Sequence, residues 1–197
     1  MGKVYDALDE KLAAWIERQH LFFVGTAPLA ADGHINVSPK GGLRWLRILG
    51  PGEVAYLDVV GSGAETIAHA RENGRIVIMF CAFEGPPRIV RLHGRATVLL
   101  PGEPGFDPLL AHFDPPEHGL RSVIRVEVDR IADSCGYGVP LMRYEGTRKQ
   151  QEAWLDKRVR EGTLDDYVVE KNARSIDGLP AIEQPYRASP APARDRG

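Results

Sequence analysis

Cysteine is scarce in this chain: Cys81 and Cys135 are the only two among 197 residues. Two cysteines build no disulfide framework, which excludes the small stapled secreted scaffolds and leaves a reduced, cytoplasmic setting as the expectation. Nothing in the sequence marks either as a reactive thiol, so each reads as a small buried or half-buried side chain. A charge imbalance is missing too. The 25 Lys and Arg nearly offset the 27 Asp and Glu, for a net charge of −2. No general attraction to nucleic acid or to an anionic membrane surface is expected. Long apolar runs are absent, so no membrane span is expected. The opening stretch MGKVYDALDEKLAAWIERQ is charged and amphipathic and lacks the apolar centre of a signal peptide. Asp6 stands where N-myristoylation wants Ser or Thr.

The common chemical signatures are missing as well. The chain has no nucleophile elbow, no phosphate-binding P-loop and no G-x-G-x-x-G after a strand. Its six histidines are scattered; His112 and His118 have no partner at a metal-ligand spacing, so no metal site is assigned. No residue declares itself as a catalytic acid, base or nucleophile, and the catalytic residues are left unassigned.

What is present suits a soluble globular domain: 43% hydrophobic and 26% charged residues, enough to bury a sizeable core. Tyr5, Leu8, Leu12, Trp15 and Ile16 recur at helical spacing and predict a helix over 4–19. HLFFVGTA (20–27) and HINVS (34–38) read as a hairpin turned at Ala31-Asp32-Gly33. In its second strand Ile35 and Val37 face one way and His34, Asn36 and Ser38 the other. Pro39 is expected to end that strand, with 43–52 a loop. Strands follow over 54–60, 75–83, 88–100 and 123–131. In the last, Ile124, Val126 and Val128 point inward. Gly94 inside the 88–100 run suggests a bulge or sharp coil. A short helical piece is expected near 109–113. Beyond 131, SCGYGVP is irregular, and helices are expected from Arg148 to about Arg160, capped by Thr147, and from Thr163 through Ala173. The fold class is therefore mainly β with helices: a six-stranded antiparallel barrel with an N-terminal helix and two C-terminal helices. A single domain covers 1–182, with the barrel at about 20–131 and a helical extension at 132–182. The Pro-, Ala- and Arg-rich 183–197 reads as a disordered tail.

The stretch VAYLDVVGSGAETIAHAREN (54–73) organises the rest. A strand breaks at Gly61-Ser62-Gly63 and passes into a helix that stops at Asn73-Gly74. Ser62 followed by Glu65 has capping-box spacing. A glycine loop at a helix start gathers free N–H groups and the positive end of the helix dipole, a natural seat for phosphate. The plain alternative is a strand-to-helix turn that needed two flexible residues.

The order of these elements, with R-x-V-R-x-x-G realised as Arg88-Ile-Val90-Arg91-Leu-His-Gly94, resembles the pyridoxamine 5′-phosphate oxidase-like family of FMN-binding split barrels over roughly residues 5–131. CGYGVP and EKNARSIDGLP are similar to motifs of an uncharacterised branch of that family. The resemblance implies a split barrel, a homodimer, and FMN in a cleft between subunits. By that resemblance the phosphate falls to Ser38 and Lys40 at the end of the hairpin and to the loop residues Gly61, Ser62, Gly63 and Thr66, with Glu65 expected to close the capping box or to point at a ring or ribityl hydroxyl. Ser38 is expected to be a hydroxyl donor and Lys40 a point charge, unless Lys40 is merely a solvated loop lysine. Ser62 can equally serve only as a helix cap. The family usually has Arg and Lys in this loop; Glu65 stands there instead, so charge compensation shifts to Lys40 or to an arginine of a second copy. Asp58 is a candidate acceptor for ribityl hydroxyls or the ring, or an outward strand residue. Glu84 and Arg88 are candidates near the flavin. The C-terminus lacks the Arg-rich strand that grips pyridoxal phosphate in the true oxidases, so vitamin B6 oxidation is not expected. Asn172, Ser175 and Asp177 either cover the flavin's exposed face or cap the last helix.

The function expected is an FMN-dependent oxidoreductase acting on a small substrate stacked on the flavin. The alternatives are a deazaflavin in place of FMN, and a flavin- or haem-binding module without turnover.

Overall fold

A computed structural model describes residues 2–183. The strands are β1 (Val4–Tyr5), β2 (Leu21–Thr26), β3 (Asn36–Gly41), β4 (Leu46–Gly50), β5 (Glu53–Val59), β6 (Arg75–Cys81), β7 (Ile89–Leu99) and β8 (Leu120–Ser134). The helices are α1 (Glu10–Ile16), α2 (Glu65–Asn73), α3 (Phe106–Leu110), α4 (Gln150–Arg160) and α5 (Leu164–Asn172). Seven strands pair antiparallel in the order β3-β2-β6-β7-β8-β5-β4, and β1 adds to β8. The end strands β3 and β4 do not pair with each other, so the sheet curls round its core without being sealed. That is the antiparallel split barrel expected from the sequence, with more strands than six.

The extra strands have local causes. Val4 and Tyr5 are not helical because the helix begins only after Asp9, whose carboxylate accepts from Leu12 N–H at 2.8 Å. The expected loop 43–52 contains β4, which pairs with β5 from Leu46 opposite Tyr56 to Gly50 opposite Glu53. Pro39 does not end the hairpin: it sits within β3 opposite Phe23. This is tolerated because β3 is an edge strand, where no ladder partner needs the missing N–H. The bulge expected at Gly94 is present, with the β7–β8 register shifting between His93 and Gly94. A Cβ on Gly94 would stand 2.0 Å from the Glu127 carbonyl oxygen, so only glycine fits.

The interior holds Phe22, Val24, Tyr56, Ile78, Phe80, Leu92, Ile124 and Val126, with Leu12 and Ile16 of α1 entering the same cluster. A second cluster joins Val60, Ala64 and Ile67 to Leu155, Leu164 and Val168 of α4 and α5. It packs the C-terminal extension against the end of β5 and the start of α2. Thr147 does not cap α4, which starts at Gln150 after Lys149. The short helix expected near 109–113 lies slightly earlier, at Phe106–Leu110. The tail assigned to 183–197 lies, from residue 184 onward, outside the described residues.

Candidate functional site

At the junction of β3, β5 and α2 lies a cleft of about 340 Å³. The alternation of β3 builds one wall. Val37 of β3 and Ile35 just before it face solvent at 65% and 76% exposure, while Asn36, Ser38 and Lys40 turn inward. The opposite wall is the break after β5. Ser38, Lys40, Gly61, Ser62, Gly63, Glu65 and Thr66 all border the cleft, with Trp45, Arg121 and Gln151. Seven of the ten residues singled out in the sequence thus meet in one place.

The helix start differs from the expected capping box. The N-cap of α2 is Ala64, and no side chain caps it. Ser62 is exposed beside the cleft and holds no cap bond. Glu65 therefore does not close a box either: its Oε1 accepts the Ile176 N–H at 3.3 Å, and its Oε2 lies against Gly63, where a Cβ would come within 2.3 Å. The first N–H groups of a helix have no intrahelical acceptor, so the α2 start offers donors to the cleft. The C-terminal end matches expectation, with Gly74 in the left-handed conformation at φ 71°.

Asp58 is not a free acceptor. It is fully buried beneath the cleft; Oδ1 accepts from Lys40 Nζ at 3.0 Å, and Oδ2 from Arg121 Nε at 2.7 Å and Ser122 Oγ at 3.3 Å. Burial alone would raise its pKa, but the Arg121 guanidinium and the Lys40 ammonium outweigh that and hold the carboxyl well below the usual range. The ribityl role expected of Asp58 gives way to that of a buried counter-ion that fixes two cations. Lys40 accordingly is not a solvated loop lysine; it keeps two N–H donors beyond its bond to Asp58.

Arg121 is the residue the sequence did not reveal. Opposite it, the β5–β8 register shifts between Asp58 and Val59, which pair with Ser122 and Leu120. Arg121 is the extra residue of that bulge, and bulges re-aim side chains. Its Nη1 donates to the Gly63 carbonyl at 2.7 Å and to Asn172 Oδ1 at 2.9 Å. Arg121 thus places an in-chain cation on the cleft that Glu65 also borders. Alternation along 120–131 puts Arg121 on the face opposite Ile124, but no signal in the sequence says that α5 covers that face.

A hydrogen-bond chain sets which hydroxyls donate. Asn36 Nδ2 donates to Thr26 Oγ1 and to Thr66 Oγ1, both at 3.0 Å, and Ser38 Oγ donates to Asn36 Oδ1 at 2.9 Å. Thr66 receives a proton from behind, so its own O–H is free for the cleft. Ser38 has spent its proton and presents only lone pairs, which corrects its expected role as a donor. Behind them Thr26 Oγ1 meets His69 Nδ1 at 3.0 Å, and burial lowers the His69 pKa.

Glu84 and Arg88 lie elsewhere. Glu84 is exposed and accepts from Tyr144 N–H at 3.1 Å, while Arg88 donates to Tyr5 Oη at 2.7 Å and Asp133 at 3.2 Å. Both border a wider groove of about 1780 Å³ that shares Pro39, Gly41, Trp45 and Gln151 with the small cleft. Trp45 Nε1, at their junction, is buried and has no hydrogen-bond partner among the described residues. Asn172, Ser175 and Asp177 line neither cavity. Among the described residues, no group of three or more His, Cys, Asp or Glu is placed to hold a metal, and no helix is long and apolar enough to cross a membrane.

A family model described as pyridoxamine 5′-phosphate oxidase matches residues 8–135. The chain belongs to the pyridoxamine 5′-phosphate oxidase family. One relative, the pyridoxamine 5′-phosphate oxidase family protein ustO of Aspergillus flavus, is 36% identical over 197 residues, covering 93% of this chain and 79% of its own. That likeness reaches past residue 135 into the helical extension. Among solved structures, HupZ of Group A Streptococcus (an H111A form) is 21% identical, with a TM-score of 0.49, covering 64% of this chain and 99% of that one. An FMN-binding protein from Syntrophomonas wolfei is 16% identical, with a TM-score of 0.46, covering 65% and 82%.

Proposed function

We propose that this chain is an FMN-dependent oxidoreductase whose cleft between β3 and the 61–66 loop holds the FMN phosphate. The observation that supports this most is the pair Lys40 and Arg121, fixed by one buried carboxylate at the mouth of a helix N-terminus. The donor set fits a phosphate: two cations, the Thr66 hydroxyl, the exposed Ser62 hydroxyl and the N–H groups at the start of α2. Glu65 opposes it, but one of its oxygens is already engaged by Ile176 N–H. Trp45 Nε1 is an unused buried donor where the cleft meets the groove, suited to a ring carbonyl or nitrogen.

When bound, the flavin supplies the electron or hydride chemistry. The protein's residues bind and orient it. Lys40 and Arg121 neutralise the phosphate, Thr66 donates, and Asp58 keeps both cations from collapsing onto other acceptors. The wider groove is the place for the ring and a small substrate. None of these residues need move a proton, consistent with the lack of any acid-base motif. The functional unit in this proposal is a cytoplasmic homodimer, supported by family membership and by the exposed Ile35, Val37, Tyr137 and Leu141.

The test is direct. Purified protein should be yellow, or should melt at a higher temperature with FMN than without, and NAD(P)H should bleach the bound flavin anaerobically. A colourless protein stabilised by neither FMN nor a deazaflavin would end the flavin reading. Stabilisation by deazaflavin alone would replace the cofactor, and a haem absorption band would move the protein to the binding modules without turnover.

A further inference from the structure

The C-terminal segment after α5 reaches back across the molecule to the phosphate cleft. Asn172, the last residue of α5, is fully buried. It makes two opposed bonds: Oδ1 accepts from Arg121 Nη1 at 2.9 Å, and Nδ2 donates to the Gly61 carbonyl at 3.0 Å. Arg121 Nη1 also bonds the Gly63 carbonyl. Asn172, Arg121, Gly61 and Gly63 form a closed frame around the glycine loop. The Gly61 carbonyl is thus engaged by α5 and the Gly63 carbonyl by Arg121, so neither is left unpaired where an anion would meet its partial negative charge. Four further contacts hold the segment beside the loop. Ile176 N–H bonds Glu65, Asp177 takes the His34 N–H at 2.8 Å, Arg71 donates to the Ala181 carbonyl at 2.6 Å, and Ile182 N–H bonds the Asn172 carbonyl at 3.1 Å. Ala181 and Ile182 are buried against Ala64 and Ile67 of the same helix start.

We propose that Asn172 is a positioning residue of the phosphate cleft, and that through it the C-terminal segment sets the preference for flavins that carry a phosphate over those that do not. The inference rests on the phosphate placement above. Asn172 borders neither cavity. It acts through Arg121, which does border the cleft, and through the pairing of the Gly61 and Gly63 carbonyls. Neither half of the amide is replaceable by the other: the guanidinium needs an acceptor and the carbonyl needs a donor. Loss of the frame leaves Arg121 free to swing and the loop carbonyls unpaired beside the phosphate, which penalises the anion and leaves a neutral ribityl end untouched.

The experiment measures dissociation constants for FMN and riboflavin on the full chain, wild type and Asn172→Ala, with the isosteric Asn172→Asp as a second variant that keeps the acceptor and removes the donor. The expected result is an FMN-to-riboflavin preference reduced by about tenfold in both variants, with riboflavin affinity changed less than about twofold. Equal loss for both ligands in a folded variant would show a merely structural role, and an unchanged preference would overturn the proposal while leaving the phosphate site standing. Wild-type protein that shows no preference for FMN over riboflavin removes the phosphate reading itself, and this inference with it. Hydrogen exchange on the wild type serves if both variants fail to fold. FMN should protect amides in both 61–66 and 172–182, and riboflavin neither; protection confined to 61–66 would overturn the coupling.

Discussion

Single side chains carry most of the cleft's character. Asp58 is the clearest case, a buried carboxylate answered by Lys40 and Arg121. Asp58→Asn leaves two cations without their counter-ion, and breaking such a buried pair costs about 3–5 kcal/mol. Urea unfolding should show that loss at neutral pH. The wild-type carboxyl titrates below its unfolded value, so its contribution is present above the ordinary carboxylate range and is lost as pH falls through about 4 toward the folded value. The Asn variant should therefore lose less stability on acidification than the wild type. Glu65 works in the opposite sense. Glu65→Gln keeps an acceptor for Ile176 and removes a negative charge beside the proposed phosphate. FMN binding should tighten by on the order of 1 kcal/mol, roughly fivefold, as read by flavin fluorescence quenching; weaker binding would mean that Glu65 serves the flavin directly. The hydrogen-bond chain separates two hydroxyls that look alike in the sequence. Thr66→Val should weaken FMN, whereas Ser38→Ala, which removes only an acceptor from the cleft, should not.

The elements show where sequence patterns end. Alternation placed Ile124, Val126 and Val128 inward, glycine marked the β7 bulge, and Asn73-Gly74 marked the end of α2, because each is a local rule. Pro39 misled because its effect depends on whether the strand is at an edge, and neighbours are not local. Lys40 and Ser38 were legible from the strand face they share. Arg121 was not, since a bulge created by pairing with β5 decides where it points. Glu84 comes from the turn after β6 and Arg88 from the R-x-V-R-x-x-G motif, but they serve Tyr144 and the Tyr5–Asp133 pair beside the wider groove. The segment after α5 carries its own prediction. Asp177 accepts from the His34 N–H and pairs with its Nδ1, and that side-chain hydrogen bond to Asp177, followed by the carboxylate's charge, raises the His34 pKa. The latch is fully formed below the unfolded histidine value and loosens as pH rises through the raised folded one. Hydrogen exchange in 174–180 should quicken across that rise in wild type, and Asp177→Asn should abolish the pH step.

At the scale of the whole molecule, an open curled sheet leaves two edges and an exposed apolar set, Ile35, Val37, Leu141 and Met142. A homodimer should sediment at twice 21.7 kDa, and Val37→Glu should shift it toward the monomer; a wild type that is monomeric at high concentration would contradict the proposed assembly. The central claim concerns the cleft itself, and the most direct measurement is the FMN dissociation constant of wild type against the folded double variant Lys40→Ala/Thr66→Val. Removing the ammonium and the donating hydroxyl should weaken FMN by about a hundredfold or more, while riboflavin affinity barely changes. Unchanged FMN affinity in that variant would contradict the phosphate site at the junction of β3 and α2.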